Sequence, residues 1–432
     1  MSKEYKLEIY GDRSVLHIGE NQYEYYEGEQ SKEAKARYIE IEKQLSEGYF
    51  DDFVSVAISN FDDEFEIKEE SKAHLDALVD SITSEVGRAI VALSVMQLLL
   101  KTLCKDQSIR LHKGGSAGCN FGWREGISMR TLDKKYITPV LRKYDLIKLN
   151  NDGFMMTRTL AENYPYSSLY KAAIRGQRGS WIYIVDAIES EVLDPRDALA
   201  YCIRRLYSKT EQFNKLTVKC AELLEDKINK FNELQQTQTF ISKWVENSDY
   251  SARIFEIAIH SAFHHPFELG LIDGQLKPLS QMRSANKKHK NIGDIEVVSP
   301  NNDRVVFEAW DAKYGKPYLR DELEELADKL EVQASVKLAG FIVNELPKID
   351  TSTRARLEEL QQQFDIEIKI LSFKDWVGFV YQEFGDISEE DFCLNWIKNI
   401  LNSLGQKKRD MAPIDEPCNL WMNELKVHLS QL

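Results

Sequence analysis

From residue 4 to residue 27, apolar and polar positions alternate around Gly11-Asp12 and Gly19-Glu20, the period-two pattern of a small antiparallel sheet. The period then changes. Residues 31–47 and 70–83 carry acidic, helix-compatible spacing, and a helix led by Ser81, Thr83 and Glu85 becomes apolar on every side between 89 and 100, as a buried helix does. Lys113-Gly114-Gly115-Ser116-Ala117-Gly118 reads as a flexible linker. Beyond it a basic helical run ends in Tyr144-Asp145-Leu146-Ile147. A strand Lys148-Leu149, a tight turn Asn150-Asn151-Asp152-Gly153 and a returning strand Phe154-Met155-Met156-Thr157 are expected next. Residues 181–245 are almost wholly helical in pattern, with a helix start at Leu193-Asp194-Pro195. Their second half is charged and Gln-rich and reads as an exposed linking pair suited to dimer contact.

The pattern is richest after 250. Residues 251–263 predict a helix with Ile254, Phe255, Ala258, Ile259 and Ala262 inward, ended by His264-His265-Pro266. His260, His264 and His265 have no cysteine or second motif with which to complete a zinc site. Two β-branched runs, 293–298 and 304–313, flank Ser-Pro-Asn-Asn-Asp and predict a β-hairpin. A helix over 319–330 with Glu322 and Glu325 outward, a buried strand over 336–343, a helix over 350–364 and a strand over 366–371 follow. The rest is helical, with Trp376, Trp396 and Trp421 at core spacing.

The hairpin carries the chemistry. Alternation puts Asp311 and Lys313 on one face of the second strand and Glu308 and Trp310 on the other. A turn near Asn302 brings Asp294 opposite Asp311 or one place from it. Two carboxylates side by side suit a hard divalent cation, most often Mg²⁺. Such a cation polarises a phosphoryl oxygen and helps make hydroxide from water, and a nearby lysine orients that water or offsets charge on the phosphorane.

An acidic residue after a turn, then Asp-x-Lys on the next strand, resembles the PD-(D/E)XK nuclease superfamily. Gly293-Asp294 stands where Pro-Asp is typical. The resemblance covers about residues 245–385. The order helix, hairpin, helix, strand, helix, strand is the order of that fold, a mixed sheet flanked by helices. The resemblance implies catalysis by Asp294, Asp311 and Lys313, with Mg²⁺ on Asp294 and Asp311. It also implies a third acid, catalytic and metal-binding, from the helix before the hairpin, and Glu256 matches in placement. The plainer reading of the hairpin is an exposed strand pair with an ordinary ion pair.

Charge distribution adds a partner. The chain has 432 residues and a net charge of −14, yet residues 101–178 hold 15 Lys/Arg against 6 Asp/Glu, a local +9. The segment 277–290 adds Lys277, Arg283, Lys287, Lys288, His289 and Lys290 without an acid. These are the candidate phosphate-binding surfaces. The helix, turn and returning strand around 127–157 resemble a winged helix-turn-helix, which implies that Arg130, Lys134 and Lys135 face DNA; a winged helix used for protein contacts is the alternative. Lys287, Lys288 and Lys290 would grip the DNA backbone beside the scissile phosphate.

Scattered cysteines without a Cys-x-x-Cys pair, no apolar run of membrane length and no signal-peptide core fit a reduced, cytoplasmic setting with no membrane partner. The expected fold class is α+β. Four regions are expected: a small sheet with helices at 1–82, a winged-helix-like DNA-binding domain at 83–180, a helical linker at 181–245 and the nuclease-like domain with C-terminal helices at 246–432. A DNA-reading module fused to this nuclease resembles a type II restriction endonuclease. That implies double-stranded DNA as substrate, Mg²⁺ as cofactor, a homodimer to cut both strands and a cognate DNA methyltransferase as genetic partner. Two rivals stay open: a nuclease of the same fold in repair, transposition or phage defence without a fixed site, and a non-catalytic winged-helix regulator.

Overall fold

The structure is a computed structural model. It describes residues 4–60, 65–83, 85–115, 121–147, 149, 153–156, 164–170, 174, 176–279, 291–315, 318–333, 335–383, 385–405 and 416–432. The chain is α+β and divides into two compact units, Met1–Gln212 and Phe213–Leu432. The division falls within the region expected as a helical linker.

The first unit opens with an antiparallel meander of β1 (Tyr5–Ile9), β2 (Arg13–Ile18) and β3 (Asn21–Tyr26). Its inner face sets Leu16, Ile18 and Tyr25 against Leu111 and Trp123. Helices α1 (Lys32–Ser46), α2 (Tyr49–Ser59) and α3 (Glu69–Asp80) precede α4 (Glu85–Leu103). As its pattern requires, α4 is buried from Ala89 to Leu100 and forms the centre of the unit's main core. Gly114 and Gly115 do not act as a free linker, because Gly115 donates to the Trp123 carbonyl and Gly114 bridges to the same residue.

The basic helical run is α5 (Met129–Leu132), a π-helical turn at Asp133–Ile137 and α6 (Thr138–Lys143). Pro139 explains the π turn. It has no N–H for the carbonyl four residues back and its ring crowds that carbonyl, so the Thr138 N–H instead reaches the Asp133 carbonyl. The expected returning strand is not a strand: Phe154–Met156 is a single 3₁₀ turn. Buried Asp133 accounts for this by accepting the Met155 N–H at 3.1 Å and the Thr138 hydroxyl at 2.6 Å. Gly153 lies at φ +91° with no room for a Cβ, which would meet the Asp133 carboxylate at 2.2 Å. The turn residues 150–152 and Thr157 lie outside the described residues. The unit continues through α7 (Arg178–Glu189), and α8 (Pro195–Asp226) carries the boundary between the units.

In the second unit, α9 (Leu234–Glu246) and α10 (Ser251–Glu268) come before a five-stranded sheet. His264-His265-Pro266 does not end α10. The helix runs on to Glu268 with Pro266 inside it and buried. The strands are β4 (Gln275–Leu276), β5 (Ile295–Ser299), β6 (Asn302–Lys313), β7 (Leu338–Val343) and β8 (Glu367–Ser372), adjacent in that order. The first three pair antiparallel and the last three pair parallel. Helix α11 (Leu319–Leu330) joins β6 to β7, and α12 (Thr351–Phe364) joins β7 to β8. Asp350 caps α12 by accepting the Thr353 N–H at 2.7 Å. Then come α13 (Phe373–Glu383), α14 (Glu389–Leu404) and α15 (Cys418–Ser430).

Both sheet faces are covered. Ile295, Trp310, Ala312 and Ile342 pack with Ile254, Phe255 and Ala258 of α10 and with Trp376 and Trp396 of α13 and α14. Ala309, Ala339, Phe341 and Ile368 pack with Leu323, Leu326 and Leu330 of α11 and with Leu360 of α12. Among the described residues no helix is long and apolar enough to cross a membrane.

Candidate active site

The site is built where the β5–β6 hairpin meets α11. Ile295 pairs with Trp310 across the hairpin, so one step outward Asp294 faces Asp311. Asp294 is anchored by the Ala312 N–H, which donates to its Oδ2 at 3.0 Å. The approach to it is tight. A Cβ on Gly293 would meet the Trp310 carbonyl oxygen at 2.5 Å, so only glycine lets the chain pass this close before Asp294. Two residues on, buried Glu296 fixes the same approach by accepting the Ile292 N–H at 2.6 Å. The Lys277 ammonium pairs with Glu296 at 2.6 Å and donates to Asn291 at 2.9 Å, so this lysine of the basic segment serves the fold.

Strand alternation acts as read from the sequence. Lys313 Nζ lies 3.1 Å from Asp311 Oδ2 on one face, while Glu308 accepts the Trp310 indole N–H at 2.5 Å on the other. Glu308 therefore cannot reach the Asp294–Asp311 pair. Burial, and then the facing Asp294 carboxylate with which it shares a hydrogen bond, push the Asp311 carboxyl up to about 7. Burial works against the Lys313 ammonium, but Asp311 and Glu322 outweigh it and hold its pKa above the ordinary lysine value.

Glu256 sits on α10, close enough for the Asp311 charge to act on it. Burial raises its pKa against the pull of Arg253, whose guanidinium meets Glu256 at 2.5 Å and Glu416 at 2.6 Å. Arg253 and Glu416 are both buried, so Glu256 is held in place from behind.

Glu322 is the residue that sequence reasoning assigned to the wrong side. It faces the site, with Oε2 2.8 Å from Lys313 Nζ. With Gly293, Asp311, Lys329 and Phe341 it lines a small cavity beside the hairpin. Its signal was present: Leu323, Leu326 and Leu330 mark the buried stripe, and Glu322 stands at its edge, where a side chain can turn back toward the sheet. The Lys329 ammonium donates to the Ile292 carbonyl at 3.0 Å at the far wall.

These groups bear on a metal. Asp294, Asp311 and Glu322 against Lys313 and Lys329 leave one net negative charge when all are ionised. The Asp294 carboxylate facing Asp311 sets up a repulsion that a divalent cation would relieve. Hard, paired carboxylates fit Mg²⁺, which commonly takes one or two protein carboxylates and keeps water elsewhere. Among the described residues, no three His, Cys, Asp or Glu side chains gather into a metal-binding group, so Glu256 is not part of a closed three-acid cluster.

The expected DNA-contacting residues fare unevenly. Arg130 is exposed, yet its guanidinium donates to the Met155 carbonyl at 2.8 Å and so pins the 3₁₀ turn. Lys135 pairs with Glu42 of α1 at 2.9 Å. Lys134 is exposed on the π turn. Lys287, Lys288 and Lys290 lie outside the described residues.

The chain matches no protein-family model and no curated protein.

Proposed function

We propose that the second unit is a metal-dependent endonuclease domain of the PD-(D/E)XK type and that the chain is a type II restriction endonuclease acting on double-stranded DNA. The observation that carries this reading is the facing pair Asp294 and Asp311 with Lys313 3.1 Å from Asp311, at the end of a hairpin and beside a cavity. The order helix α10, three antiparallel strands, helix α11 and a strand parallel to the third supports it as well. A structural ion pair needs one carboxylate. Here a second is brought against the first at an electrostatic cost, which is the signature of a site arranged for something else.

Asp294 and Asp311 would hold Mg²⁺, which when bound polarises the phosphoryl oxygen and lowers the pKa of water. Lys313 orients the attacking water in line with the scissile bond and donates to the developing negative charge. Glu256, steadied by Arg253, adds a negative charge on the α10 side of the pair. Arg130, Lys134 and Lys135 are exposed basic residues of the basic helical run that would meet phosphate. Two copies of the chain supply two such sites, one for each strand.

Incubation of the purified chain with Mg²⁺ and several unmethylated plasmids tests the proposal. Discrete fragments are expected. A smear would favour a nuclease without a fixed site, and sequence-specific binding without any metal-dependent cleavage would favour the regulator. No cleavage of any DNA with Mg²⁺ or Mn²⁺ would end the nuclease reading.

A further inference from the structure

We infer that Glu322 is a positioning residue for the reaction: from α11 it holds the Lys313 ammonium in place over the Asp294–Asp311 pair. This rests on the nuclease reading and adds a residue that the hairpin motif does not contain. A lysine side chain has four rotatable bonds and a strongly hydrated head, so on an exposed strand end it samples many positions. Lys313 does not have that freedom. Asp311 Oδ2 at 3.1 Å and Glu322 Oε2 at 2.8 Å each take one of its three N–H donors. One donor remains for a substrate oxygen or a water.

The two holders come from different elements, one strand and one helix, so Lys313 is fixed only where β6 and α11 meet. Glu322 is itself half-buried, on the wall of the cavity that contains Asp311. Leu323 and Leu326 beside it are packed into the sheet face and fix the rotation of the helix. A carboxylate beside a site that receives a phosphate is adverse unless it is neutralised. Lys313 neutralises it, and the pair enters the site as an aimed dipole. Asp311 alone would leave the ammonium free to swing as that carboxylate turned to a cation. With Glu322 in place, Lys313 keeps its position.

The test uses the full-length protein and three variants, Glu322→Ala, Glu322→Gln and Glu322→Asp. Single-turnover cleavage at saturating Mg²⁺ is expected to fall about 100-fold in Glu322→Ala and Glu322→Gln, the scale of a catalytic group displaced by about 1 Å. Glu322→Asp should recover part of the rate. DNA affinity measured with Ca²⁺ should stay within about threefold of wild type, because the loss falls on the chemical step. A second readout needs no activity. In the metal-free protein labelled with ¹⁵N-lysine, the Lys313 ammonium should give an exchange-protected NMR signal, assigned by its absence in Lys313→Arg, and Glu322→Gln should abolish it. If Glu322→Gln keeps the signal, or cuts within about threefold of wild type, Glu322 does not position Lys313. If the wild-type chain cuts no DNA, the nuclease reading fails on its own account, and the ammonium signal still decides whether Glu322 holds this lysine.

Discussion

Each unit buries an aspartate whose carboxyl is pushed well above the ordinary range, and the two are unlike in what surrounds them. Asp133 rises to about 6, chiefly through burial. Among the described residues its partners are donors, a cation and a space-filler: the Thr138 hydroxyl, the Met155 and Phe154 N–H groups, the nearby Arg130 charge, and Gly153 against its oxygens. Asp311 rises to about 7 through burial and a second carboxylate, beside a cavity. One is a cap that closes a turn. The other is left facing a like charge. A displaced pKa therefore says only that a group is buried; what faces it separates architecture from chemistry.

The comparison breaks most visibly in activity. Asp311→Asn and Asp294→Asn should each lower single-turnover cleavage at saturating Mg²⁺ by about 10³-fold or more, the upper range for loss of one electrostatic element of an active site. Lys313→Ala should lose the chemical step by a similar factor while metal binding is largely kept, since an ammonium does not ligate a hard cation. Asp133→Asn should cut at the wild-type rate per folded molecule. Wild-type cleavage by Asp311→Asn or Lys313→Ala would make the hairpin an ordinary strand pair.

Stability should show the reverse. Asp133→Ala leaves a buried hydroxyl and two backbone N–H groups without their acceptor and should cost the first unit about 2–4 kcal/mol. Asp311→Asn removes a repulsion and should leave the second unit as stable as before or more so. Denaturant melts of the two variants check this, and equal losses would erase the distinction.

The pH response separates them further. A carboxyl with a raised folded pKa binds its proton more tightly in the fold. Its stabilising contribution is whole below the unfolded value near 4 and is lost as pH rises, through about 6 for Asp133 and about 7 for Asp311. At about 1.4 kcal/mol per pKa unit, the Asp133 part is about 3 kcal/mol, and Asp133→Asn should flatten it. Mg²⁺ should then offset only the Asp311 part. At pH 7.5 it should raise the melting temperature of wild type and of Asp133→Asn, but not that of Asp311→Asn. A Mg²⁺ shift in Asp311→Asn would place the cation elsewhere.

The smallest effect belongs to the basic helix. Lys135→Ala breaks an exposed, solvent-screened pair with Glu42 and should leave the denaturation midpoint nearly unchanged. If the basic run meets DNA phosphate, Lys134→Ala should make the salt dependence of DNA binding shallower by about one contact, and an unchanged slope would take Lys134 out of the DNA interface.

The sequence made the β5–β6 hairpin legible because strand alternation is a rigid rule: the side of each of Glu308, Trp310, Asp311 and Lys313 follows from one choice of face. The helix and strand order after it was legible for the same reason, in apolar periodicity. What stayed hidden depends on the third dimension. Glu322 looked outward because a helix edge residue can point either way, and only the meeting of α11 with Lys313 decides it. Pro266 looked like a stop because a proline usually ends a helix, yet the buried face of α10 carries the helix past it. The expected wing strand failed because the buried carboxylate of Asp133, 22 residues before Met155, captures the turn's N–H groups, which no local pattern announces. The hold of Arg130, expected to face DNA, on the Met155 carbonyl is hidden for the same reason.

All seven tryptophans of the chain are buried, and five of them, Trp244, Trp310, Trp376, Trp396 and Trp421, belong to the second unit. Intrinsic fluorescence is therefore mostly a record of that unit. Trp310 is adjacent to Asp311 on β6, with its ring on the opposite side of the sheet, so its emission can register events at the site without a dye. The first unit, with Trp123 and Trp181 alone, is comparatively dark. An optical melt of this protein would follow one half of it, and circular dichroism would have to see the other.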